Sequence, residues 1–217
     1  MPDAVELVYV HDPMCSWCWG FRPTLTSLRS QLPEQVRFRP LLGGLAPDSD
    51  QAMPQTLQQQ LQLTWQRIQQ QIPGTQFNFD FWTHCKPRRS TYPACRAVIA
   101  ARMLDPQKAE PMIEAIQRAY YLRAMNPSDL DTLLQLAVEL ELDGEKFAFM
   151  LRRDFVDEQL QTEIGEARAL GASSFPSLVL RADFANYASV PIDYLDTRPM
   201  LNTIETLIAS MPSNRAP

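Results

Sequence analysis

Strand-forming segments occur only near the two ends of this 217-residue chain, and no other feature restricts its fold as much. Val5 to Val10 reads Val-Glu-Leu-Val-Tyr-Val, a short β-branched and apolar run that predicts a buried strand. His11-Asp12-Pro13 breaks the run. After Cys15, the residues Leu25, Leu28 and Leu32 recur at helical spacing until Pro33. Gln35 to Leu41, carrying Val36 and Phe38, predicts a second strand that Gly43-Gly44 stops. Towards the other end, Ser177 to Leu180 reads as a strand directly after Pro176, and Tyr187 to Val190 as its partner. Tyr194 to Met211 then closes the chain as a helix.

Between Pro54 and about Leu170 the pattern is helical. Leu57, Leu61, Trp65, Ile68 and Ile72 mark an amphipathic helix on a Gln-rich background, closed by Pro73-Gly74. Further helices are expected over Ala94 to Leu104, from Pro111 past Tyr120, and from Ser128 past Leu140. A last one starts near Asp143 and runs past Phe147, Leu151, Leu160 and Ile164 to Gly171. Neither the β-α-β start nor the β-β-α end can bury its apolar face alone, so the two halves must share one sheet. The expected architecture is an α/β domain made of residues 1–50 and 171–217, with an all-helical insertion over 51–170.

Composition adds exclusions. With 45% hydrophobic and 21% charged residues the chain reads as an ordinary globular protein, and 18 prolines against 7 glycines read as punctuation between helices. A net charge of -5 offers no electrostatic reason to expect nucleic acid or an anionic membrane as partner. The first residues, Met1-Pro2-Asp3-Ala4-Val5-Glu6, are acidic where a secretory signal is basic, and no apolar segment suited to one follows. The expected location is therefore cytoplasmic, which Met1 favours over a mature form whose signal has been cut away. Four cysteines are too few for a disulfide scaffold, and in a reducing compartment a close pair is catalytic or metal-binding more often than structural.

Cys15-Ser16-Trp17-Cys18 lies between the first strand and the first helix. A helix N-terminus offers unpaired N–H groups and the positive end of the macrodipole, which favour a thiolate over a thiol. The first cysteine is then the nucleophile. The second, one turn later and deeper, can resolve a mixed disulfide from the same side. Two other readings compete with a redox pair. A zinc or iron–sulfur site needs more ligands, and His11, His84, Cys85 and Cys95 form no second close pair. Two unrelated cysteines at a helix start is the other. No metal is expected.

The segment His11-Asp12-Pro13-Met14-Cys15-Ser16-Trp17-Cys18-Trp19-Gly20-Phe21 resembles the active-site segment of the DsbA-like thioredoxin superfamily. It is most similar to the cytosolic FrnE-like branch of protein-disulfide isomerases and oxidoreductases. Gly171-Ala172-Ser173-Ser174-Phe175-Pro176-Ser177-Leu178 is the second matching element. The resemblance implies a thioredoxin-like fold with a large helical insertion, Cys15 and Cys18 as catalytic residues, and a cis Pro176 facing them. It also implies that Phe175 backbone groups pair with substrate beside Cys15. Ser16, Trp17 and His11 join Phe175 as expected substrate-binding residues. Tyr9 stands where relatives often carry a buried acid that takes the proton of the second thiol; the nearest acids are Glu6 and Asp12, which leaves water, Asp12 or another route for that task.

The expected activity is disulfide exchange with protein or small-molecule thiols and disulfides, with no cofactor and with glutathione as a candidate thiol substrate. Whether the chain forms a homodimer is open. Enzymes resembling kappa-class glutathione transferases or 2-hydroxychromene-2-carboxylate isomerases share the fold, but they generally use a serine where Cys15 stands. A peptide-binding, chaperone-like protein using the aromatic rim of Trp17 and Trp19 is the non-enzymatic alternative. Cys95 falls on an apolar helix face and reads as a buried structural thiol, with a Cys85–Cys95 redox pair as the competing reading.

Overall fold

The computed structural model describes residues 5–183 and 185–210. β1 (Val5–His11), β2 (Val36–Leu42), β3 (Ser177–Arg181) and β4 (Tyr187–Val190) form one sheet in the order β2-β1-β3-β4. β1 and β2 run parallel from Val5 opposite Val36 to His11 opposite Leu42. Their crossover is helix α1 (Ser16–Ser30). β3 lies antiparallel on the other side of β1, with Val8 opposite Val179, and β4 returns along β3. The two ends of the chain thus meet at the β1–β3 pair.

β1 is apolar at Val5, Leu7, Val8 and Val10 because both of its faces are covered. Leu7 and Tyr9, with Leu178 and Leu180, pack on Phe21, Leu25 and Leu28 of α1 and on Met200 and Ile204 of α9 (Arg198–Ser210). Val8, Val10 and Val179 point to the opposite face, against Ala167 and Leu170 at the end of α8 (Asp154–Ala169). Arginines and glutamates rim that second face: Glu6 pairs with Arg181 and Arg39, and Glu166 with the same two arginines.

The helical layer comprises α2 (Gln55–Gln71), α3 (Phe81–His84), α4 (Tyr92–Leu104), α5 (Ala109–Leu122), α6 (Leu130–Glu139), α7 (Gly144–Leu151) and α8. It has its own core. Trp65, 1% exposed, is surrounded by Phe77, Phe79, Phe81, Trp82, Tyr120 and Tyr121, with ring centroids 4.8 to 6.1 Å away.

Two boundaries differ from expectation. The helix expected from Asp143 to Gly171 is two helices, α7 and α8, because Arg153 is extended (φ -89°, ψ 132°). Its apolar residues step by four from Phe147 to Leu151 and then by five to Val156. That slip would turn the second set away from the core if the helix continued. The closing helix begins at Arg198 and not at Tyr194, because the Asp193 carboxylate accepts hydrogen bonds from the Leu195 and Asp196 amides and holds a turn. Its expected end at Met211 lies outside the described residues, as do Met1 to Ala4 of the acidic N-terminal segment.

Candidate active site

Strand β1 ends at His11, and four residues later the chain enters α1 with Cys15 as N-cap. Cys15 is extended (φ -82°, ψ 117°), and its sulfur accepts a hydrogen bond from the Cys18 amide at 3.4 Å. The cysteine thus occupies the place of a capping Ser or Asp, where a sulfur meets the unpaired N–H groups of the first turn. Cys15 is 5% exposed and Cys18 1%. The order is the expected one, but both sulfurs lie below the surface.

Across from them runs the segment before β3, with a cis Phe175–Pro176 peptide. The Cys15 thiol donates to the Phe175 carbonyl at 3.4 Å, so residues 160 positions apart face each other at the site. The Phe175 ring rests on Gly43, where an added Cβ would come within 2.1 Å of it. Ser16 opens α1 and is half-buried. Trp17, also half-buried, packs on Tyr194 with centroids 5.2 Å apart and lies under the Arg67 guanidinium at 5.8 Å. Trp19 instead stacks on Tyr121 and donates its indole N–H to the Gln76 carbonyl, so it fastens α1 to the helical layer.

Below the cysteines the buried groups are polar. The Asp12 carboxylate is fully buried and accepts from the Met14 amide (2.7 Å), the Leu45 amide (2.7 Å), the Thr91 hydroxyl (2.6 Å) and the Cys95 thiol (3.5 Å). Burial pushes its carboxyl up, and these bonds oppose the shift. With both oxygens engaged there, Asp12 positions the loop and is not turned to Cys18. Glu6 is held by Arg181 and Arg39, so neither acid offered by the sequence serves the second thiol. The Tyr121 hydroxyl donates to the Met14 carbonyl at 2.6 Å and ties the same loop to α5.

His11 points inward. It is 2% exposed, stacks on Tyr9 with centroids 4.9 Å apart and rings 3° from parallel, and its Nδ1 has no hydrogen-bond partner among the described residues. Burial lowers it to about 4, so the imidazole is neutral near pH 7. Burial, then the adjacent Cys15, pushes the Cys18 thiol up, while the Tyr9 hydroxyl beside it pulls the other way. A cavity of about 510 Å³ opens behind Cys18, between α1, β2 and α5, with Tyr9, His11, Cys18 and Gln117 among its lining residues. A wider groove of about 820 Å³ on the other side of α1 is lined by Trp19, Ile72 and Tyr194 and touches neither sulfur.

The other thiols sit elsewhere. Cys95 is buried under Asp12, and Cys85 donates to the Ala124 carbonyl at 3.0 Å. In the basic stretch 86–89, Arg88 is engaged by Asp129 and the Ser128 carbonyl. No group of three or more His, Cys, Asp or Glu suited to a metal occurs among the described residues. Thr91, Tyr121 and Tyr194, which complete the site, carry no local motif; Thr91 shows only as the residue before a Tyr-Pro helix start.

A CxxC pair at a strand-to-helix junction, faced by a cis-proline segment that opens the neighbouring strand and comes from the far end of the chain, defines a thioredoxin-like thiol–disulfide oxidoreductase fold. The family model described as Thioredoxin matches residues 8–197, and the chain belongs to that family. Among solved structures it is similar to a candidate protein disulfide isomerase from Nitrosomonas europaea. That match has a TM-score of 0.81 and 25% identity, over 96% of this chain and 99% of the other. It is also similar to the cytosolic disulfide reductase DsbM from Pseudomonas aeruginosa (TM-score 0.68, 26% identity), over 94% of this chain and 95% of the other. DsbM has also been solved with GSH, the complex aligning with this chain at the same TM-score and identity. The oxidoreductase DsbA from Xylella fastidiosa shares the fold at a TM-score of 0.61 and 15% identity, over 95% and 86% of the two chains. A curated relative, the ClpXP adapter protein SpxH of Halalkalibacterium halodurans, is 20% identical over 98% of this chain and 71% of its own length. The SpxH of Bacillus subtilis is 22% identical over 80% of this chain, and the match spans 57% of that relative.

Proposed function

We propose that this protein exchanges disulfides through the Cys15–Cys18 couple, with Cys15 as the attacking sulfur and protein or small-molecule disulfides as substrates. One observation carries the reading: Cys15 caps α1, receives the Cys18 amide, and faces the Phe175 carbonyl beside cis Pro176. In the reductive direction the Cys15 thiolate attacks a substrate disulfide. A Cys15–substrate S–S bond forms, and the other substrate sulfur leaves as a thiolate. Cys18 then attacks the Cys15 sulfur, an intramolecular disulfide closes, and the remaining substrate sulfur is released reduced. Run backwards, the same steps oxidise a dithiol.

An extended substrate strand beside Cys15 can pair with the Phe175 backbone, and Ser16 and Trp17 form the adjoining rim. Glutathione is a fitting small thiol, by kinship with the reductase solved with GSH. That same kinship favours a cytoplasmic role. Replacing Cys15 with serine is expected to abolish turnover of glutathione disulfide and reduction of insulin. Cys18→Ser is expected to accumulate a mixed disulfide on Cys15, read by intact-protein mass. Turnover that persists in Cys15→Ser would end this reading. Titration of the couple against glutathione assigns the direction of electron flow.

A further inference from the structure

Resolution of the mixed disulfide requires Cys18 to lose a proton, and Cys18 is 1% exposed while the buried Asp12 carboxylate is bonded to other groups. We propose that the cavity between α1 and α5 is the proton exit of Cys18, and that the Tyr9 hydroxyl steadies the Cys18 thiolate at its inner end. The proposal rests on the disulfide-exchange reading above.

Three features carry it. The cavity, about 510 Å³, has Cys18 in its wall and is large enough for several waters, each needing roughly 30 Å³. Its inner wall offers polar partners for such water in Tyr9 and the buried Gln117. His11, buried in the same wall, is neutral and adds no charge beside the thiolate. The outer rim is formed by Arg22–Glu114 and Arg29–Glu110, two ion pairs that join α1 to α5 and stay partly exposed to solvent.

The titratable and charged groups around Cys18 are Tyr9 and His11 on β1, Cys15 at the start of α1, Tyr121 on α5 and Tyr194 before α9, with Arg39, Arg102 and the two rim pairs further along the cavity wall. Of these, Tyr9 shares the cavity wall with Cys18, and the Cys18 amide donates to the Cys15 sulfur at 3.4 Å. During resolution the Cys18 sulfur bonds to the Cys15 sulfur, and the Cys15–substrate bond breaks with its electron pair going to the substrate sulfur. The Cys18 proton passes to cavity water and leaves between the rim pairs.

The test uses 5,5′-dithiobis(2-nitrobenzoate), an aromatic disulfide whose thiolate absorbs visible light. One equivalent mixed with the reduced protein releases a first thiolate when Cys15 attacks and a second when Cys18 resolves. Both phases are followed by stopped flow from pH 5 to 10. Tyr9→Phe keeps the ring and removes the donor. It is expected to lower the ratio of second-phase to first-phase rate about tenfold below the midpoint and to move the second-phase midpoint up by about one pH unit. Ile113→Phe narrows the cavity from α5 and is expected to slow the second phase severalfold without moving its midpoint.

An unchanged second-phase midpoint in Tyr9→Phe overturns the role of Tyr9. A second phase as fast in Ile113→Phe as in the wild type overturns the exit, and that variant carries the test alone if Tyr9→Phe does not fold. Absence of the first phase in the wild type instead overturns the disulfide-exchange reading.

Discussion

The core of the helical layer and the junction beneath the cysteines are equally buried but differ in chemistry. Around Trp65 the interior is rings on rings and uncharged, its polar atoms confined to phenol hydroxyls and indole nitrogens. Below Cys15 and Cys18 the interior holds a carboxylate, an imidazole, a phenol and thiols, each 5% exposed or less. The first region obtains stability from area and close packing. The second spends stability to hold titratable groups in place, through hydrogen bonds for Asp12 and through neutrality for His11. Burial alone therefore does not distinguish a core from a site. The protonation behaviour of what is buried does.

That contrast is most sharply broken at Trp65. Trp65→Ala is expected to cost about 3–5 kcal/mol in urea unfolding, since a large ring is removed from a packed cluster. The loss should be the same at pH 5 and pH 8, because no titrating group changes; a pH-dependent loss would erase the distinction.

At His11 the opposite holds. Its folded value of about 4 lies below the ordinary 6.5, so the unfolded chain binds the proton first. Stability is fully present above about pH 6.5 and falls as the pH drops towards 4. At about 1.4 kcal/mol per unit, the loss approaches about 3 kcal/mol. His11→Phe, which retains a ring against Tyr9, should flatten the curve over that window; an equally steep curve would remove His11 as its cause.

The smallest effect belongs to the rim. Arg29→Gln removes an exposed pair to Glu110 and should change stability by less than about 1 kcal/mol, a difference that 0.5 M salt removes.

The parts of the fold that rest on local periodicity were legible in the sequence. β1, β2, β3 and α1 follow from apolar runs and their punctuation, and the CxxC pair from its placement between strand and helix. The break at Arg152-Arg153 was not, because two amphipathic helices in line differ from one only by a slip of phase. The short α3 carries too few residues to show a period. At the site, Cys15 and Pro176 were visible as motifs. The partners of Asp12 were not, nor was the inward turn of His11. Both depend on side chains brought together from distant positions, which no spacing records. The sequence placed Asp12 among the acids available to Cys18; the structure gives all of its bonds to other groups.

Those bonds also say when the site can come into being. Asp12 is joined to Leu45, Thr91 and Cys95, closing chain separations of 33, 79 and 83 residues. Each closure carries an entropic cost that local structure cannot offset. The strand and helix beside the cysteines can form early from neighbouring residues, but the turn that presents the sulfurs is complete only once α4 has docked. Reactivity in this protein is thus a late property of the folding chain, acquired after its secondary structure and in the same step as its tertiary one.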